Sequence, residues 1–529
     1  MMRRLVVLSM AGILAFTSCG SARFTHRPHV LRIAFAGDPN SLVPFLAIDQ
    51  DVIALDTFFA ETLVGLDAHN RDIPLLVTRV PTRANGDVSS NGKQITYHLR
   101  RDVRFADGVP FTSADVAFTY RAVLDPRNRA TLVEPYKRIV KLETPDAHTV
   151  VIRLQRPWNA AVHVFFAQSD YPYGILPQHA FKDTRVVGTP WENAPFGTGP
   201  FRVTEWRRGD RIVLEPNLYF RPKPKLAQIV LQIIPNLNSN YVALEAGSAD
   251  VGILTPDNIE RASGIAHVRV SRIPENGTGQ LYMQTHLTPT NELAVRKAIA
   301  LAIDLKELSG AWRAEYPTAS AFLPPPIVSW NHAPIAAYPH DLKTANRLLD
   351  DAGWHMSHGV RTKGAQPLAG VIGANSENPI SVRIATILQS QLALIGMRLD
   401  VKTNPSSLWF SQEGLLRNGK ASMVSESWVG GGDPEQSLNL RCVEAIGGGS
   451  NHSFYCSRRF EELFADQART PSETQRHRDF DAIQQLVHDD IPVIPLYYET
   501  YFEGVDRRVV HYERNMLRIP VHAEQWDTL

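Results

Sequence analysis

The sequence predicts an α/β fold of more than one lobe. Two observations carry that prediction: segments of strand and helix character mix from end to end, and the chain is too long for one core. Of 529 residues, roughly 510 remain once an N-terminal leader is set aside, well past the size at which a single hydrophobic core stops growing. In the later chain a helix followed by a strand recurs, as it does in an α/β lobe.

The leader is the first element. Arg3 and Arg4 precede the apolar run LVVLSMAGILAF (residues 5–16), which is too short for an ordinary spanning helix and ends in TSCG. This resembles a bacterial lipoprotein signal, in which Cys19 is lipid-modified and becomes the mature N-terminus. Phe16 departs from the leucine usual three places before that cysteine, and an ordinary secretory signal with an incidental cysteine is the alternative. The resemblance implies a signal over 1–18, a linker over 19–28 and a chain held by lipid outside the cytoplasm.

Strands and helices follow in turn. HVLRIAFAG (29–37) and KQITYHLR (93–100) are rich in β-formers, and TSADVAFTYRAVL (112–124) opens on capping residues, Thr112 or Ser113, before turning helical. In NELAVRKAIALAIDLKEL (291–308), Val295, Ala298, Ile299, Ala302 and Ile303 share one helical face. KTANRLLDDAGW ends a second helix at Gly353, and ISVRIATILQSQLALIGM carries a third, with Ile384, Leu388, Leu392 and Ile395 as its stripe and Gly396 as its stop. RLDVKTN (398–404) then reads as a strand. Each stripe is core packing first, so none is assigned a ligand.

Composition narrows the function classes. Without Arg3 and Arg4 the 55 basic residues become 53, against 54 acidic, so nothing demands nucleic acid or an anionic membrane surface. No apolar run after the leader approaches a membrane span, and the hydrophobic fraction of 44% is that of a globular protein. Cys442 and Cys456, with no third partner, point to a disulfide closing CVEAIGGGSNHSFYC; a metal site is the rival, with only His452 between them where structural zinc wants four ligands.

Enzyme signatures are mostly missing. There is no His-Glu-x-x-His, no Gly-x-Ser-x-Gly elbow and no Gly-Lys-Ser/Thr phosphate loop, since NGKQ and NGKA lack the hydroxyl residue. ESWVGGGDPEQ (426–436) has the glycines of a phosphate cradle but no lysine, and Pro434 interrupts any helix behind it. A scattered catalytic triad stays open as an alternative, an extracytoplasmic hydrolase.

Six ordered stretches together resemble one family: LRIAFAGDPNSLVPF, ITYHLRRDVRFADGVPFTSADVAFTY, FGTGPFRVTEWRRGDRIVLEPNLYF, VRKAIALAIDLKEL, ANRLLDDAGW and DDIPVIPLYYETY. They are similar to the extracytoplasmic solute-binding proteins, family 5, that serve peptide and nickel importers of the ATP-binding-cassette type, closest in pattern to dipeptide- and oligopeptide-binding members. The resemblance implies a two-lobed periplasmic-binding-protein fold (type II, peptide-binding class) with an extra subdomain in the first lobe. Expected boundaries are 29–278 for lobe I, with an insertion at about 60–195, then 279–497 for lobe II and 498–529 returning to lobe I. Read physically, Asp107-Gly108 is a turn pair, and GTGP (197–200) offers two residues that tolerate positive φ in a tight turn.

The resemblance also implies a monomeric binding protein that captures a peptide or similar small solute in the interlobe cleft and delivers it to a membrane permease and its ATPase. Neither catalysis nor a cofactor or metal is expected; an oligosaccharide or a metal complex is the alternative ligand. The tryptophan loop of the second lobe lines the cleft in family members. Trp428 is therefore expected to stack on ligand, or else to pack in the core, and Gly430, Gly431 and Gly432 to let backbone approach it. Asp433 either faces the ligand or starts a turn. Asn40 and Tyr498, from the first and last shared stretches, complete the expected ligand-binding set. Peptide-binding members carry an aspartate three places after this tryptophan for the peptide ammonium; this chain has Gly431 there. GANSENP (373–379) also lacks the arginine that dipeptide-type members use for the peptide carboxylate. A zwitterion buried without those partners costs several kcal/mol.

Overall fold

A computed structural model of the protein describes residues 28–47, 49–168, 172–325, 334–445 and 449–529. The leader and the expected lipidation at Cys19 lie outside them. Ten strands form one mixed sheet: β1 Val30–Phe35, β2 Phe201–Arg207, β3 Arg211–Pro216, β4 Gln228–Ile233, β5 Val251–Leu254, β6 Val268–Met283, β7 Ala369–Asn375, β8 Arg398–Asn404, β9 Met423–Val429 and β10 Val493–Asp506. Their spatial order is β8-β7-β9-β6-β10-β5-β1-β4-β3-β2.

That order explains the two lobes. At one end β1 runs parallel to β4 and β5; at the other β7 runs parallel to β8 and β9. The long antiparallel pair β6 and β10 joins them, with β10 pairing β5 in one lobe and β9 pairing β6 in the other. The β6–β10 register slips between Pro274 and Thr278, where the sheet passes from lobe to lobe. The expected boundaries at 278/279 and 497/498 fall inside these strands. Burial follows the same division. One core gathers Leu31, Phe59, Tyr97 and Phe105; a second gathers Leu281, Trp312, Trp354 and Leu388; a third gathers Tyr282, Trp409, Phe460 and Phe480.

The extra subdomain of the first lobe rests on a three-stranded antiparallel sheet, Gln94–His98, Thr149–Leu154 and Ile139–Asp146, packed against the helix Ser113–Leu124. The expected capping holds. Asp115 accepts from the Thr112 N–H at 2.8 Å and from the Thr112 hydroxyl at 3.2 Å, and its other oxygen takes the Gln178 N–H at 3.0 Å. Asp115→Ala orphans two backbone donors at once and is expected to destabilise the protein by about 2 kcal/mol in a denaturant melt.

The three later helices form over Leu293–Ala302, Leu342–Asp351 and Pro379–Ala393, and Gly353 and Gly396 take the left-handed backbone that stops the last two. Gly108 does the same in the Asp107-Gly108 turn, with φ of 90°. The GTGP reading differs in cause. Gly197 and Gly199 do not adopt positive φ; a Cβ on either would collide with the carbonyl oxygen of Phe59 or Phe58, so close backbone approach is what requires glycine there. Cys442 and Cys456 are joined in a disulfide. Among the described residues no helix is long and apolar enough to cross a membrane.

Candidate functional site

The site is built where β6 and β10 cross between the lobes and β9 ends. Gly277 stands opposite Val429 in the β6–β9 register, and a Cβ on Gly277 would touch Glu499 at 2.9 Å and Val429 at 3.0 Å. Only glycine at 277 lets the β10 carboxylate come in beside β9. One register step on, a Cβ on Gly279 would strike the Tyr497 ring. Glu499, Tyr497, Ser427 and Val429 thus share one face of the sheet, period-2 neighbours on strands that pair through small residues.

This face is acidic. The Ser427 hydroxyl donates to Glu499 and lies 3.2 Å from the Tyr497 hydroxyl. Glu275 binds Arg518 through Nε at 2.5 Å and Nη2 at 3.1 Å, and Arg518 also reaches Asp51 at 3.7 Å. Burial and the neighbouring Glu275 push Glu499 up to about 7, against the downward pull of Ser427 and Arg518. Tyr316 stacks on Tyr497 at 5.0 Å and closes one flank. On the other face of β9, Glu426 accepts from the indole N–H of buried Trp409 at 2.5 Å.

The glycine loop leaves this face and crosses to the other lobe. Asn276 anchors its start: its carboxamide donates to the Gly431 carbonyl, and its backbone carbonyl accepts from Gly430 N at 2.8 Å. Gly432 packs against the first lobe, where a Cβ would lie 3.5 Å from Leu66 and 3.6 Å from the Gln168 carbonyl. Asp433 is fully buried. Arg476 holds both its oxygens, at 2.7 and 2.9 Å, and His163 of the first lobe lies 3.4 Å away. Burial disfavours the Asp433 charge, but Arg476 and His163 outweigh it and hold the carboxyl well below its usual range.

The expected binding residues separate. Trp428, Gly430, Gly431 and Gly432 stay together where β9 ends, and Trp428 is half-buried on the face opposite Glu499, paired with Thr278. The Tyr498 hydroxyl accepts the Ser320 and Ala321 N–H groups at 3.2 and 3.0 Å. Asn40 belongs elsewhere: its carbonyl accepts from Arg208, in the turn between β2 and β3 at the far edge of the sheet. Glu275, Glu499 and Arg518 were not among the sequence candidates. Their one sequence signal was a carboxylate inside the tyrosine-rich run YYETYFE. Among the described residues no group of three or more His, Cys, Asp or Glu could hold a metal ion.

Solved structures share this architecture. NikA from Brucella suis in complex with Fe(III)-EDTA superposes with a TM-score of 0.82 at 23% identity, covering 94% of this chain and all of that one. AppA from Bacillus subtilis in complex with a nonapeptide gives 0.76 at 19%, covering 94% and 99%. In sequence, the chain is 28% identical to heme-binding protein A of Haemophilus influenzae over 80% of each chain. It is 28% identical to the nickel-binding periplasmic protein of Escherichia coli over 89% of each, and 24% identical to the dipeptide-binding protein of Escherichia coli over 80% of this chain and 82% of that one. A family model described as bacterial extracellular solute-binding proteins, family 5 Middle, matches residues 73–446, and the chain belongs to that family.

Proposed function

We propose that this chain is the binding subunit of an ATP-binding-cassette importer. It takes a small solute bearing a cationic group, a peptide or a similar molecule, into the cleft at β6, β9 and β10, and hands it to a membrane permease. Membership of a family of binding proteins sets aside the hydrolase alternative. Family membership leaves the ligand open, because the relatives' names cite heme, nickel and dipeptides. The ligand has to be read from this chain's residues.

The observation that carries the reading is Glu499. Gly431 cannot supply the carboxylate that peptide-binding members place three residues after the tryptophan. Glu499 stands beside Gly277, whose strand partner Val429 is two residues from Gly431, and offers a carboxylate in its stead. The backbone of Gly430 to Gly432 then forms the wall where β9 ends, and Trp428, on the other face of the sheet from Glu499, is left out of this ligand set. Asp433 serves the loop through Arg476, so it is left out of the ligand set. A monomer anchored through a lipidated Cys19 at the outer side of a bacterial membrane completes the proposal.

Native mass spectrometry of protein purified from its own host tests the reading, together with thermal shifts across peptides with free and acetylated N-termini, oligosaccharides and metal complexes. Free-amine peptides are expected to raise the melting temperature and their acetylated counterparts to do so far less. Shifts confined to sugars or metal complexes would overturn the ligand class.

A further inference from the structure

A cavity of about 540 Å³ lies in the first lobe, apart from the site at Glu499, and its volume is that of a small-molecule site. The residues lining it come from 57–222 and 520–525, before β6 and after β10, so the cavity is complete within one lobe. Its walls are apolar and poor in backbone donors: Phe58 and Phe220 supply aromatic rings, and Pro74, Pro200, Pro222 and Pro520 supply rings without an N–H. Leu66 and Gln168 form the side on which Gly432 of the second lobe packs, so cavity and cleft are neighbours.

The charged groups around it are unevenly committed. Glu61 is buried and already taken: Arg221 donates to it from Nη1 at 3.2 Å and from Nη2 at 3.2 and 3.3 Å. That pairing leaves the Arg221 Nε as a buried donor with no acceptor among the described residues. Arg100 lines the same cavity, and its Nε and Nη2 donate to the exposed Asp102 at 2.9 and 2.6 Å. Asp102 holds the Arg100 charge up with a contribution from Glu61, and Arg100 draws the Asp102 carboxyl down with a contribution from Arg221, so each guanidinium lies within reach of the other's partner. On the rim Asp67 holds Arg71, and Glu524 faces His522. The carboxylates are thus engaged while guanidinium donors are left over, and a leftover guanidinium donor is satisfied best by an ionised acceptor.

We propose that this cavity is a second binding site, for a small carboxylate with an aromatic or branched apolar body. The carboxylate lies on the Arg221 Nε and the Arg100 guanidinium, and the body fills the space between Phe58, Phe220 and the prolines. The body is needed as well as the charge, because carbon buried against those rings supplies the affinity that a partly exposed guanidinium does not. Glu499 calls for a cation and this cavity for an anion, so the protein takes two unlike molecules, and the second does not wait for the first.

Saturation-transfer NMR titration of the full chain with 3-phenylpropionate tests this, with 3-phenylpropanamide and acetate as comparators. The propionate is expected to bind with a dissociation constant of about 1 mM or below, and the amide and acetate each about tenfold more weakly or worse. Arg100→Gln is expected to weaken the propionate about tenfold. Ile73→Trp, which fills the cavity from a half-buried lining position, is expected to abolish its binding, and both variants should keep the native circular dichroism. Glu499→Gln should leave the propionate constant where it is, and a saturating N-terminally free peptide amide should not displace it. No saturable binding below about 10 mM, an amide that binds as tightly as the acid, variants at Arg100 and Ile73 that bind like the native chain, or displacement by the peptide would each overturn the site. Peptide-induced shifts of the melting temperature are a separate result, and they stand or fall with Glu499.

Discussion

Replacing Arg476 by leucine is expected to destabilise the protein by about 3–5 kcal/mol, the cost of leaving a buried charge without its partner. Asp433 has no exposed surface; Arg476 donates to both its oxygens, at 2.7 and 2.9 Å, and the Glu435 N–H adds a neutral donor at 2.9 Å, so the guanidinium is its charge partner in that fork. Leucine fills part of the volume but removes the fork and also the donor to Gln467, whose carboxamide serves Glu435. The carboxylate would then face His163 at 3.4 Å without the guanidinium. Pairing Arg476→Leu with Asp433→Asn removes the orphaned charge and should recover a substantial share of the loss, which a double-mutant cycle in equilibrium urea unfolding would read directly. Arg476→Lys keeps the charge and loses the two-pronged geometry, so it should fall between the two. A loss below about 1 kcal/mol for Arg476→Leu would show that water reaches Asp433 and that the pair is not sealed.

What the sequence disclosed and what it withheld follow one physical line. The helix faces at Val295 to Ile303 and Ile384 to Ile395 were legible because burial imposes a period that a short window contains. The stops at Gly353 and Gly396 were legible because only their own backbone conformation is at stake. Asp433 shows the limit. Within SWVGGGDP it reads as a turn residue or a ligand contact, and its use as the buried partner of Arg476 depends on a helix that starts only at Glu473. Trp158 and Glu435 meet across 277 positions, and no local pattern marks either. Glu499 escaped for a different reason: a carboxylate among tyrosines on a strand has the ordinary look of a solvated face, and its placement is decided by Gly277 on the strand beside it. The Gly431 departure raises the question of which group would meet a cation, and the answer proposed for it comes from another strand.

Acidification from pH 7 to pH 5 is expected to weaken binding of a cationic solute about 50-fold, roughly fivefold from pH 7 to 6 and roughly ninefold from pH 6 to 5, because only ionised Glu499 attracts it. Burial and Glu275 place that carboxyl at about 7 in the solute-free protein, so it is mostly protonated at pH 5 and half ionised at neutrality. Stability runs the other way. A carboxyl whose folded pKa is raised from 4.5 favours the native state while it stays protonated and loses that advantage as pH climbs from 4.5 toward 7. On acidification the solute-free protein should therefore gain stability from Glu499 in the same window in which it loses affinity, a pairing of opposite signs that a general acid effect on the fold would not produce. Calorimetric titration with an N-terminally free peptide amide at pH 5, 6 and 7 measures the first slope, and this window stays below the titration of the peptide ammonium itself. Glu499→Gln should bind weakly at all three values with a flat profile. Gly431→Asp should restore affinity to that variant, because it returns a carboxylate to the place where peptide-binding members of the family carry one. Affinity in the native chain that is constant from pH 5 to 7, or a Glu499→Gln variant that binds as tightly as the native protein, would remove Glu499 from the site.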